Sequence, residues 1–258
     1  RFVSAIERAN SGHVMAYGGD AITKQATTLF QELCDTDVDV LFTFNGTGSN
    51  IVALGSLLRA AESVICSEWA HIHVDETGAP EHMLGIKLQD VDSPDAKVTP
   101  EHIIAASSAL GNVHHVQPGV VSITQATELG TVYSIDEIRA ICDTAHSFGM
   151  RVHLDGARIS NATAALGGDA ATFRAQTFGA GVDAVSFGGT KGVKGLTYSV
   201  IVTQKGNTSE PVGLKISSRF GEVNSLDPKS VSTSKFPVKS FLGAGVGQAA
   251  WAQSGGVA

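Results

Sequence analysis

Short apolar runs rich in β-branched residues alternate along most of this sequence with helix-like stretches, and few architectures accommodate that order. The runs are Val40–Phe44, Ser63–Cys66, Leu84–Leu88, Val120–Thr124, Arg151–Asp155, Ala184–Phe187 and Tyr198–Thr203. Each is too continuous for a strand with one face in water, so each is expected to be buried on both faces, as the strands of a parallel sheet are. Between them Lys24–Leu33, Ser49–Leu58, Pro100–Leu110 and Ile135–Phe148 read as helices. Ser134 with Glu137 three residues on is a capping box that opens the last of these, and Gly149 is placed to stop it. The expected architecture is α/β, a mostly parallel sheet sandwiched by helices. Ligands of such sheets bind beyond the carboxyl ends of the strands, so the residues just after each strand are where chemistry is sought.

Composition narrows the partners. The 258 residues, 43% hydrophobic and only 17% charged, suit one large domain with a substantial core. A net charge of −7 without any basic run argues against a surface that neutralises nucleic-acid phosphates and favours a small-molecule partner. Cys34, Cys66 and Cys142 form neither a disulfide framework nor a Cys-x-x-Cys metal pattern. No signal peptide or apolar span of ~20 residues is visible, so a soluble, cytoplasmic protein without a membrane partner is expected. Charge also divides the chain: residues 1–191 carry 11 basic and 22 acidic residues, whereas 192–258 carry 7 and 3 and none of the nine histidines.

Four strand ends carry unusual residues. After Val40–Phe44 comes Asn45-Gly46-Thr47-Gly48-Ser49-Asn50, which reads either as a capped strand-to-helix turn or as a phosphate cup at a helix N-terminus. After Ser63–Cys66 come His71, His73, Asp75 and Glu76; the two histidines alternate as on a strand, but the spacing matches no zinc motif and no metal is expected. A packed, locally bonded His71 is the plain alternative to one that stacks on a flat cofactor, where His71 or Glu76 would handle protons. Arg151–Asp155 ends in Asp155-Gly156-Ala157-Arg158, read either as an Asp155–Arg158 ion pair or as a carboxylate for a cationic ring nitrogen with Arg158 beside it. Ala184–Phe187 leads through two glycines to Lys191, an exposed loop lysine or an amine activated to attack a carbonyl. Taken together, a phosphate cup, a stacking histidine, a carboxylate and a Schiff-base lysine match the requirements of pyridoxal phosphate.

From about Asn10 to Lys191 the chain resembles the threonine aldolase branch of the fold type I pyridoxal-phosphate enzymes, the aromatic amino acid β-eliminating lyase/threonine aldolase family. The resemblance is carried by Asn10-Ser11-Gly12-His13, by 44–50 and 70–76, by the run from His114 to Tyr133 that includes Gln125-Ala126-Thr127-Glu128-Leu129-Gly130-Thr131, by His153–Arg158 and by Ser186–Lys191. It implies a transferase-like large domain over 1–203. It further implies that Lys191 forms the Schiff base, Asp155 partners the pyridine nitrogen, His71 stacks on the ring, and Gly46 and Thr47 hold the phosphate. Arg158 would contact the substrate carboxylate or the cofactor's phenolic oxygen. The implied reaction is retro-aldol cleavage of L-threonine-type β-hydroxy-α-amino acids to glycine and an aldehyde by a homodimer or homotetramer, with His71, Glu76 or a water taking the hydroxyl proton.

The chain also departs from the family. It opens after the segment that usually supplies a Ser-Asp pair, has Gly192-Val193-Lys194-Gly195 where Asn-Gly is usual, and loses the pattern after Thr203. The expectation is a chain truncated at both ends, with the small C-terminal domain missing or degenerate and 204–258 a divergent, poorly ordered tail. Two alternatives follow: a catalytically impaired fragment or pseudoenzyme, and a β-eliminating amino acid lyase.

Overall fold

The computed structural model describes residues 2–59, 61–189, 199–204, 217–218 and 221–222. Two helices come first, α1 (Phe2–Ala9) and α2 (Ala21–Cys34). Asp20 caps α2 by accepting from the Thr23 N–H at 2.8 Å, and Asp35, in the left-handed region at φ 52°, ends it. There follow β1 (Val38–Thr43), α3 (Gly46–Leu57), β2 (Glu62–Ser67), α4 (His71–Val74), α5 (Ala79–Leu84), β3 (Lys87–Val91), α6 (Pro100–Ser107) and β4 (Gln117–Thr124). The chain continues with α7 (Ile135–Ser147), β5 (Arg151–Gly156), α8 (Ile159–Leu166), α9 (Ala170–Ala175), β6 (Ala184–Gly188) and β7 (Ser199–Gln204). Beyond β7 only a two-residue ladder, Ser217–Ser218 with Gly221–Glu222, is described, so the expectation of a poorly ordered tail lies almost wholly outside the described residues.

The sheet has seven strands in the order β1-β7-β6-β5-β4-β2-β3. The pairs β2–β3, β2–β4, β4–β5 and β5–β6 are parallel, while β7 runs antiparallel to both β6 and β1. The expected α/β architecture is present, with a first correction: within the run expected at Tyr198–Thr203, the described residues Ser199–Thr203 belong to an antiparallel strand. Its connection from β6 is short, and a parallel return needs a crossover of a dozen or more residues. A second correction concerns Leu84–Leu88. Pro80 opens a helix there and Gly85, at φ 64°, stops it, so Leu84 closes α5 and the strand begins at Lys87.

Both faces of the central strands β2, β4, β5 and β6 are covered, which is why they read as unbroken apolar runs; the edge strands β1 and β3 expose Asp39 and Phe42, and Lys87 and Asp90, so the expectation of burial on both faces fails there. On one face Val121, Ile123, Val152, Leu154 and Val185 pack with Ile138, Ile141, Cys142 and Ala145 of α7 and Ile103 of α6. The α7 capping box forms as expected: Glu137 N donates to Ser134 Oγ at 3.2 Å and Ser134 N to Glu137 Oε2 at 2.7 Å. On the other face lies α3, whose Leu54 packs with Val64, Cys66 and Val120, and whose Ala53 packs with Ala184 and Ile201. Beneath α3 the sheet turns polar. His153, fully buried, is bonded through Nδ1 to Ser122 Oγ and through Nε2 to Ser186 Oγ, both at 2.9 Å, and so ties β4, β5 and β6 together. Burial holds its imidazole neutral, with the pKa lowered to about 4.

Candidate active site at the carboxyl edge of the sheet

Parallel strands deliver their carboxyl ends to one edge, and the turn at 45–50, the helical turn at 71–74, the loop 125–133 and the segment 155–158 all meet there. The first of these is a capped turn. Asn45 Oδ1 accepts from the Gly48 N–H at 2.8 Å, and Thr43 Oγ1 lies 2.7 Å from Ser49 Oγ. Helix geometry leaves the Gly46 and Thr47 N–H groups without intrahelical acceptors. A Cβ built on Gly46 would meet nothing within 4 Å, so this amide end is open.

His71 opens the single turn α4. The strand-like alternation expected for His71 and His73 is therefore not observed: Ala70 carbonyl accepts from His73 and Val74, winding the segment into a helix. His71 keeps a third of its side chain exposed, while its Nδ1 lies 3.4 Å from Oε1 of the buried Glu76.

Asp155 ends β5, 5% exposed. Its Oδ1 accepts from the Ala157 N–H at 2.9 Å and its Oδ2 from Asn50 Nδ2 at 3.0 Å. The same Asn50 amide donates to Glu76 Oε1 at 2.9 Å. The Asp155–Arg158 ion pair, one of the two sequence readings, is not formed. Arg158 instead donates to the Ala126 carbonyl at 3.2 Å and lies 3.6 Å from Glu128 Oε1. Burial, the largest influence on Glu128, raises its carboxyl pKa, with the charge of Asp155 adding to the rise. The loop bearing Glu128 is held by Gln125, which donates to the Tyr133 carbonyl and to Gln176 Oε1 and accepts from the Tyr133 N–H.

The glycines between these groups are required by close approach. A Cβ on Gly188 would come within 2.7 Å of Ala157 Cα and O, and one on Gly156 within 2.9 Å of the Ser186 carbonyl. Strand β6 ends at Gly188, so Lys191 lies outside the described residues. Among the described residues no group of three or more His, Cys, Asp or Glu is arranged to hold a metal ion, and no helix is long and apolar enough to cross a membrane.

Sequence reasoning thus placed Gly46, Thr47, His71, Glu76, Asp155 and Arg158 at one edge, and the structure brings all six there. It missed two contributors. Asn50 was read only as part of the turn, although an amide just ahead of the apolar run Ile51-Val52-Ala53-Leu54 is itself a signal. Glu128 sat inside a quoted motif without a role, and only the fold sets it opposite Arg158.

The family model for beta-eliminating lyases matches residues 2–226, past the point where the pattern fades by eye, and the chain belongs to that family. It is 47% identical over 189 residues to a low specificity L-threonine aldolase of Pseudomonas sp. (strain NCIMB 10558), covering 73% of this chain and 54% of the relative. A low specificity L-threonine aldolase of Pseudomonas aeruginosa is 46% identical over the same length and shares. The structure of a Leishmania major threonine aldolase superposes with a TM-score of 0.72 at 31% identity, over 78% of this chain and 58% of that one. The fold is that of the fold type I class, and the chain spans about half the length of the curated relatives it matches.

Proposed function

We propose that this chain is the catalytic part of a pyridoxal-phosphate-dependent carbon–carbon lyase that cleaves L-threonine and L-allo-threonine-type β-hydroxy-α-amino acids to glycine and an aldehyde. The observation that carries the reading is the buried Asp155 carboxylate, held by two N–H donors at the carboxyl end of β5. The residues fit the cofactor. The open amide end of α3 at Gly46 suits a phosphate. Asp155 suits a protonated ring nitrogen. Asn50 Oδ1 and Glu76 Oε2 are buried acceptors without a protein partner among the described residues, as expected beside a polar ligand.

When bound, the cofactor supplies the electron sink that lets the Cα–Cβ bond break. The chain's own residues do the rest. Asp155 would keep the proton on the ring nitrogen, and the Gly46 and Thr47 N–H groups would donate to the phosphate. Arg158 would donate to the substrate carboxylate or the phenolic oxygen, and Lys191 would be the amine that holds the cofactor between turnovers. His71 would cover the ring and, with Glu76 beside its Nδ1, would take the proton of the β-hydroxyl. Its partial exposure supports this role, since the ring is reachable from solution while its partner is not.

The description of the family model itself favours a second reading, β-elimination. One experiment addresses both. Protein given pyridoxal phosphate is reduced with borohydride and mapped for label, then assayed on L-threonine. Label at Lys191 with glycine and acetaldehyde as products supports the aldolase; a keto acid with ammonia overturns it in favour of elimination; no label removes the cofactor site. We infer a cytoplasmic homodimer or homotetramer, for which the mass in solution is the check.

A further inference from the structure

Asn50 occupies an unusual place. It is 2% exposed, and the two carboxylates it faces, Glu76 and Asp155, are 3% and 5% exposed. Its amide nitrogen has two hydrogens, and each goes to a different carboxylate, at 2.9 Å on Glu76 Oε1 and 3.0 Å on Asp155 Oδ2. The reverse orientation would set Oδ1 against two carboxylate oxygens, so charge alone fixes which way the amide points. Away from water like charges repel strongly, and a carboxylate stripped of donors is costly. A single neutral group that donates to both is what allows the two to lie side by side beneath α3. The same bridge reaches His71, because Glu76 Oε1 is also the atom 3.4 Å from His71 Nδ1. Helix α3 thereby links the amide end at Gly46, at its start, to the two acidic groups at the strand ends.

We propose that Asn50 is a positioning residue of the active site, whose amide holds Asp155 and Glu76 as one unit. The carboxylate that serves the ring nitrogen and the one that orients His71 then keep a fixed relation. This rests on the reading under Proposed function. It assigns Asn50 no contact with substrate, and it explains why an amide side chain lies on the buried face of α3.

The test is a double-mutant cycle read as the dissociation constant for pyridoxal phosphate. Asn50→Ala is expected to weaken binding by about ten- to a hundredfold, the range for a lost hydrogen bond to a charged group. In the Glu76→Gln background, where there is one charge to hold, the same change is expected to cost markedly less. The visible band of the bound cofactor is expected to move in Asn50→Ala in the same direction as in Asp155→Asn. Asn50→Leu keeps the approximate size while removing both donors and adding no charge, so it takes the place of the alanine variant if that one does not fold, and the same losses are expected. Equal cost in both backgrounds, or an unmoved band, overturns the proposal and leaves Asn50 a packing residue. Wild-type protein that binds no pyridoxal phosphate overturns the functional reading itself, which keeps the two failures apart.

Discussion

At the scale of single residues, the site is governed by what surrounds its charges. Asp155 accepts from a backbone N–H and an amide, and these two bonds fix where its oxygens point. Asp155→Asn keeps the shape and removes the charge. Glycine release from L-threonine is expected to fall by about 10²–10³-fold, the usual cost of deleting a preorganised electrostatic partner, with the far-ultraviolet dichroism unchanged. A variant as fast as the wild type would take Asp155 out of the mechanism. The sequence exposed Asp155 because a carboxylate at the end of an apolar strand is conspicuous. It did not expose the absence of an Asp155–Arg158 pair, because that depends on Glu128 and Ala126, which reach Arg158 from the loop that follows β4.

At the scale of elements, local signals decide where a helix begins and ends, and packing decides what it contributes. Helix α7 was legible at both ends from Ser134, Glu137 and Gly149. Its inner stripe, Ile138, Ile141, Cys142 and Ala145, is at most 1% exposed and covers β4 and β5. Ile141→Ala is therefore expected to lower the unfolding free energy by about 2–5 kcal/mol, read by urea denaturation, with no change in the urea dependence. A loss within experimental error would mean that α7 is not packed on the sheet. The short helices α4 and α5 were not legible. Four to six residues hold too little periodicity, and His71-Ile72-His73-Val74 satisfies a strand alternation as readily as a helical turn.

At the scale of the whole molecule, two histidines set opposite limbs of the stability profile. His153 is buried neutral, its pKa lowered to about 4 from 6.5, so the unfolded chain binds a proton that the fold refuses. Stability is expected to fall as the pH drops below about 6.5, toward the lowered value, and His153→Gln should flatten that limb. His146 behaves oppositely. Its Nε2 lies 2.8 Å from the buried Asp183, whose hydrogen bond raises its pKa, and so its contribution is complete below 6.5 and lost as the pH rises through the raised value. Because its ring is a third exposed, that limb is expected to be at most about 1 kcal/mol. Thermal melts from acid to mildly alkaline pH on His153→Gln and on His146→Gln separate the two. Burial likewise pushes the Cys34 thiol to about 11 and the Cys66 and Cys142 thiols to about 12. At neutral pH a thiol reagent is expected to modify the native protein slowly and all three cysteines once urea is added; rapid native labelling would show that the element bearing the labelled cysteine, α2, β2 or α7, opens.

The sequence by itself determined the α/β class and where along the chain most of the strands lie. It also determined the edge at which the chemistry collects, because hydrophobic period, caps and strand ends are local properties. Only the tertiary structure decided that β7 runs antiparallel, that Arg158 faces Glu128, and that one amide on α3 holds two carboxylates from distant segments. Those outcomes depend on which strands become neighbours and on the cost of leaving a buried charge without a donor, and neither is written in any short stretch of residues.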